Sequence, residues 1–183
     1  DHRGTIDEII GDGILAFFGA PEPMEDHQAR AVACALEMQA AMEGINALNE
    51  AEGLPHLEMG VAVHTGNVVV GNIGSEKRSK YGAVGSDVNF TGRIEGFTLG
   101  GQLLISHSTY QAVSESVDVK KVLEVQMKGF PGTTPLYDIT GIRGAFEVKL
   151  RDRDQTPVQL ANPIRVQVHR LDGKSVLATE QEA

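Results

Sequence analysis

The sequence predicts an α+β domain, a sheet covered on one side by helices. Three observations carry that expectation. Short runs rich in Ile, Val and Phe are hinged on glycine turns, as around Gly11-Asp12-Gly13. One long segment, residues 26–52, repeats its apolar side chains at helical spacing. Hairpin-like and helix-like segments then alternate, with antiparallel neighbours rather than a regular strand–helix–strand repeat.

The chain has 183 residues, 41% of them hydrophobic and 22% charged, enough for a sizeable core. A net charge of -9 argues against a general nucleic-acid binder, whose footprint is basic. It leaves a nucleotide ligand open, because metal ions can supply positive charge. Cys34 is the single cysteine, so there is neither a disulfide framework nor a cysteine zinc site, and it reads as a small core residue. No run of eighteen apolar residues and no signal peptide is present, which predicts a cytoplasmic segment without membrane contact. The chain starts in mid-pattern, so the domain is expected to begin upstream of residue 1.

Residues 5–10 and 14–18 predict a first hairpin with Asp12 at its tip, where Asp both suits a turn and can present a carboxylate to a metal. After the breaker Gly19-Ala-Pro-Glu-Pro, a helix over 26–52 carries Ala31, Ala35, Met38, Met42 and Ile45 on one face, widened by Val32, Leu36 and Leu48. Residues 57–64 and 67–73 predict a second hairpin turning at Thr65-Gly66, with His64 structural. A polar loop over 74–80 leads to a strand at 81–84, a turn at Gly85, and a helix capped by Ser86. That helix places Asn89 and Arg93, four residues apart, on one face. A strand at 102–106, a short helix at 109–115, and paired strands at 119–128 and 135–140 close the domain, with Lys128 at a strand end. Residues 143–183 change character and predict a separate accessory β-hairpin, from 164–169 to 175–178 around Asp172-Gly173.

Four pieces stand in order: Gly4-Thr-Ile-Asp-Glu-Ile-Ile-Gly-Asp12 with Gly19-Ala-Pro21, Val63-His-Thr-Gly-Asn-Val-Val-Val-Gly71, Gly85-Ser-Asp-Val-Asn-Phe-Thr-Gly-Arg93, and Met127-Lys-Gly129. Together they resemble the catalytic domain of class III nucleotide cyclases, the adenylate and guanylate cyclases, over about residues 4–140, without its first strand and first helices. The resemblance implies a ferredoxin-like cyclase sheet with helices packed on it over 1–142, which leaves 143–183 as the β-rich extension read above from its own pattern. It implies cyclisation of GTP or ATP with two Mg²⁺ or Mn²⁺ ions. Asp12 matches the second of two metal-binding aspartates. Asn89 matches the residue that orients the ribose, Arg93 the one that stabilises the transition state at the phosphate, and Lys128 a phosphate-binding lysine. It also implies a homodimer with two shared sites, and family members are commonly fused to upstream sensor domains.

The base is expected at Glu8 and Gly82, with Ala83 beside it. In the family, adenylate cyclases usually carry Lys and Asp or Thr at the first two positions, and guanylate cyclases Glu and Cys. A carboxylate at Glu8 can accept the adjacent N1–H and 2-amino donors of guanine, whereas adenine offers an acceptor at N1. Guanine is therefore favoured, with adenine as the alternative and a Glu8–cation pair that reads no base as a further one. A cyclase-like domain that binds nucleotide or a partner without turnover is the competing reading of the whole chain.

Overall fold

The computed structural model describes residues 2–75, 77–129 and 132–151, together with the backbone of 168–169 and 175–176. The chain divides into two units, 1–151 and 152–183. The first extends past the expected boundary at 142, because residues 143–151 carry a strand of the main sheet.

That sheet is built on β6 (Leu103–Ser106), whose four residues are all buried. It pairs in parallel with β3 (Val61–Val63) and antiparallel with β8 (Thr134–Ile142), which pairs in turn with β7 (Val117–Val125). The order is β3-β6-β8-β7, and β9 (Val148–Lys149) adds to the end of β8. Side chains alternate across a strand, so the unbroken apolar run in β6 needs cover on both faces. Leu103 and Ile105 pack with Val32 and Leu36 of α1 (His27–Ala51) and Val113 of α3 (His107–Val113). Leu104 packs on the other face with Ile94 of α2 (Ser86–Glu95), Met127 and Leu136. Helices thus lie on both faces, not one, and α2 holds its face alone among the helices of the described residues.

The buried residues of α1 are Val32, Ala33, Ala35, Leu36, Gln39 and Met42, while Met38, Ile45 and Leu48 are exposed. Gln39 belongs in this buried set because its amide donates to the Met59 carbonyl at 2.6 Å and the Gln102 carbonyl at 3.0 Å. An amide whose N–H donors are both satisfied can occupy a core position that apolar periodicity assigns elsewhere, even though its Oε1 is buried without a hydrogen-bond partner among the described residues.

Two separate hairpins complete the unit. β1 (Thr5–Ile10) pairs with β2 (Gly13–Phe17), as expected. The second differs: β4 (Val69–Ser75) pairs with β5 (Arg78–Val84), not with β3. The segment between β3 and β4 is anchored elsewhere. Asn67 N–H donates to Asp87 at 2.8 Å, and Ser108 donates to the Thr65 carbonyl at 2.7 Å. These bonds carry the chain away from β3, and within the expected polar loop over 74–80 residues 74–75 and 78–80 are strand instead. In the second unit, Val168–His169 pairs antiparallel with Ser175–Val176, within the accessory hairpin expected there; the rest of that hairpin lies outside the described residues. Among the described residues, no helix is long and apolar enough to cross a membrane.

Candidate active site

The site grows from the junction of β5 and α2. Gly85, not Ser86, is the helix N-cap, and no side chain caps it. The first turn is instead fixed by Asp87, an acidic residue favoured at the positive end of a helix. One Asp87 oxygen accepts from Asn67 N–H, and the other lies 3.3 Å from Nε2 of His64. His64 is largely buried, and its Nδ1 is 2.8 Å from the Ser106 hydroxyl on β6. With Nε2 donating to Asp87, Nδ1 accepts from Ser106, so one neutral tautomer satisfies both bonds. Phe90 meets the imidazole edge-on at 4.7 Å. Gly66 is required at this contact, since a Cβ there would come within 2.4 Å of Asp87 Cγ. His64 is thus structural, as expected: it ties α2 to the central sheet.

Held this way, α2 presents Asn89 and Arg93 to solvent on one side. The Arg93 guanidinium donates to the backbone carbonyl of Lys128, beyond the end of β7. Two of the expected residues, distant in sequence, therefore meet. Asp12 stands exposed at the tip of the β1–β2 hairpin. Among the described residues no group of three or more His, Cys, Asp or Glu side chains could hold a metal by itself. Asp12 offers one hard carboxylate ligand, which suits Mg²⁺, an ion commonly held by one or two carboxylates with phosphates and water completing its shell.

The positions expected to face the base also lie near one another. Asp7 is almost wholly buried and accepts from Ala83 N–H at 3.1 Å. Lys80 Nζ lies 3.1 Å from Glu8 and 3.3 Å from Asp7. These carboxylates hold the Lys80 ammonium's pKa above its ordinary value, the Glu8 hydrogen bond contributing most. Lys80 and Asp7 were not among the expected residues. Lys80 was findable, since it stands two residues before Gly82 and so on the same side of a strand. Asp7 was not, because its aim depends on an irregularity in β1: pairing slips between Ile6↔Ala16 and Glu8↔Leu15. A bulge re-aims a side chain, and here consecutive residues both reach Lys80.

A cavity of about 260 Å³ lies elsewhere, between β2, α1, β3 and α2, lined by Phe17, Cys34, Val63 and Val88. Of the expected site residues only Ala83 borders it. Cys34 is half-buried, and burial pushes its thiol pKa up, so it has the character of a packing residue.

The sheet and its helices have the architecture of nucleotide cyclase catalytic domains. The profile of the adenylate and guanylate cyclase catalytic domain matches residues 5–141, and the chain belongs to that family. It is 49% identical to the guanylyl cyclase Cya2, whose structure superposes with a TM-score of 0.78 over 82% of this chain and 76% of that one. It is 29% identical to the adenylyl cyclase CyaB from P. aeruginosa, with a TM-score of 0.70 over 78% and 74% of the two chains. Adenylate cyclase 1 of Rhizobium meliloti (strain 1021) is 31% identical over 143 residues, which are 77% of this chain but only 22% of that relative.

Proposed function

We propose that this domain cyclises a purine nucleoside triphosphate, with GTP preferred over ATP, at a site shared between two copies of the chain. The observation that carries the reading is the seat of Arg93 on the Lys128 carbonyl. It supports the reading because Arg93 and Lys128, the two positions expected to face phosphate, lie together near the end of the helix that also bears Asn89.

In the reaction the ribose 3′-oxygen forms a bond to the α-phosphorus while the bond from that phosphorus to the bridging oxygen of the β-phosphate breaks. The 3′-hydroxyl proton is lost to water, and pyrophosphate leaves. Such a transfer depends on positioning and on charge stabilisation. Arg93 supplies planar, paired N–H donors to the α-phosphate as charge redistributes. Asn89, one helical turn earlier, holds the ribose so that its 3′-oxygen lies in line. Lys128 meets the terminal phosphates as a point charge. Asp12 would be one ligand of the Mg²⁺ or Mn²⁺ pair, which when bound neutralises phosphate charge and lowers the pKa of the attacking hydroxyl.

Base choice follows from Glu8 and Lys80 side by side. Guanine presents N1–H and 2-amino donors next to an O6 acceptor, which complement a carboxylate beside an ammonium. Adenine reverses the polarity at N1 and position 6, and both contacts become repulsive. The 49% identity to a guanylyl cyclase supports the same choice. The dimer reading is supported by exposed Ile6, Ile9, Ile10, Ile14 and Val69 on the two hairpins, apolar surface suited to a second chain.

The test is turnover of the full-length protein with Mn²⁺ or Mg²⁺ and either GTP or ATP, with chemical identification of the product. Cyclic GMP formed faster than cyclic AMP is the expected result. Nucleotide binding without any cyclic product would leave a non-catalytic module. A clear excess of cyclic AMP would reverse the base assignment.

A further inference from the structure

Gly82, one of the two positions expected to face the base, carries no side chain. The space is nevertheless filled. A Cβ built on Gly82 would lie 2.5 Å from Oδ1 of Asp7 and 3.2 Å from its carboxyl carbon. The backbone of Gly82 has no positive φ, so a larger residue is excluded by the Asp7 carboxylate rather than by chain conformation.

The carboxylate is held there firmly. Its side chain is 3% exposed, and Oδ2 accepts the Ala83 N–H. Oδ1 is buried without a hydrogen bond of good geometry, and Lys80 Nζ is 3.3 Å away. Asp7 is the residue at which the β1–β2 pairing slips, so it reaches β5 beside Glu8 instead of pointing to the opposite face.

We propose that Asp7 is a specificity-determining positioning residue: from the space of the absent side chain at 82, it holds Lys80 beside Glu8 as a donor–acceptor pair matched to guanine. This rests on the base site described under Proposed function. Asp7 itself is too buried to meet the base. Its effect passes through Lys80, an exposed cation with two carboxylate partners. Without Asp7 the ammonium keeps only the half-exposed Glu8, and its long side chain regains rotamers that leave O6 without a donor.

Two measurements on the full-length protein test this. The first needs no ligand. Gly82→Ala lowers the midpoint of thermal unfolding in the parent, and this loss is relieved in an Asp7→Ala background, because the clash is gone. Equal losses in both backgrounds would show that Asp7 does not fill the site. The second is kcat/KM for GTP and for ATP with Mn²⁺. Asp7→Asn keeps the shape and the Ala83 contact but loses the charge. It is expected to lower the GTP-to-ATP ratio about tenfold, the scale of one charge-assisted hydrogen bond, through KM for GTP. Lys80→Gln gives a similar fall, and the double variant falls no further. A parent that turns over neither nucleotide, or does not prefer GTP, overturns the base site and this inference with it. A GTP-preferring parent whose ratio is unchanged by Asp7→Asn, or whose activity on both nucleotides falls equally, overturns the inference alone and leaves the base site standing.

Discussion

Replacing Asp87 by Ala removes the clamp that sets α2 in place. Two contacts go at once. The hydrogen bond from Asn67 N–H, at 2.8 Å to a carboxylate, contributes about 1.5 kcal/mol. The His64 contact at 3.3 Å contributes roughly 1 kcal/mol more, because the largely buried imidazole is left without its acceptor. The expected loss is therefore about 2–3 kcal/mol. At roughly 2–4 °C per kcal/mol for a chain of this size, the midpoint should fall by about 5–10 °C. Asp87→Asn keeps an acceptor for Asn67 and should lose about half as much. The functional consequence is larger than the stability change suggests, since Asn89 and Arg93 ride on the same helix. A displacement of about 1 Å at a reacting centre costs roughly 10²-fold in rate, so kcat of Asp87→Ala should drop by that order while nucleotide affinity changes less. Thermal unfolding followed by circular dichroism, with initial-rate kinetics on the same samples, gives both readouts. A midpoint within about 1 °C of the parent with kcat unaltered would refute the idea that this network positions α2.

Three further outcomes are expected. Arg93→Ala should lower kcat about 10²–10³-fold with a small change in KM, as for loss of a transition-state donor; a pure rise in KM in steady-state kinetics would make Arg93 a ground-state clamp. Glu8→Lys should move preference from GTP towards ATP by tenfold or more, read as the ratio of kcat/KM values, since it reverses the charge facing N1. Asp138 is buried in the sheet and accepts from Gln102 at 3.0 Å. Burial raises its pKa, only partly offset by that hydrogen bond. Its ionised form is thus disfavoured in the folded state, and the stability it contributes is present at low pH and lost as pH rises through the raised folded value. Asp138→Asn should therefore melt higher than the parent at pH 7–8, with the gain shrinking towards about pH 4 in a pH series of melting curves.

The local elements and the pairings between neighbours in sequence were largely legible, and the long-range pairings were not. The β1–β2 hairpin, α1, α2 and the β7–β8 pair fall where turn residues and periodicity put them. Strand pairing failed at β3, because nothing local in Val61–Val63 says that it will lie parallel to Leu103–Ile105, some forty residues on. The glycine at 66 looked like a turn signal, but it answers the approach of the Asp87 side chain. The run Leu103-Leu104-Ile105 did carry a usable signal: three consecutive apolar residues in a strand require cover on both faces. At the site, Asn89, Arg93, Lys128, Glu8, Gly82 and Asp12 came from ordered motifs. The Arg93–Lys128 contact joins residues far apart in the chain and emerges only with the fold. Asp7 is the extreme case: the role proposed for it depends on one irregularity in strand register and on the missing side chain at Gly82 of the neighbouring hairpin.

In the shared site proposed above, two copies of this chain complete each other, one bringing Asp12 and the other Asn89, Arg93 and Lys128. The most direct test is complementation. Full-length Asp12→Ala and Arg93→Ala proteins, each nearly inactive alone, are mixed in equal amounts and allowed to exchange subunits. Half the resulting dimers then carry one intact site of two, so activity should recover to about a quarter of the wild-type value. Activity no greater than the sum of the two separate variants would contradict a shared site.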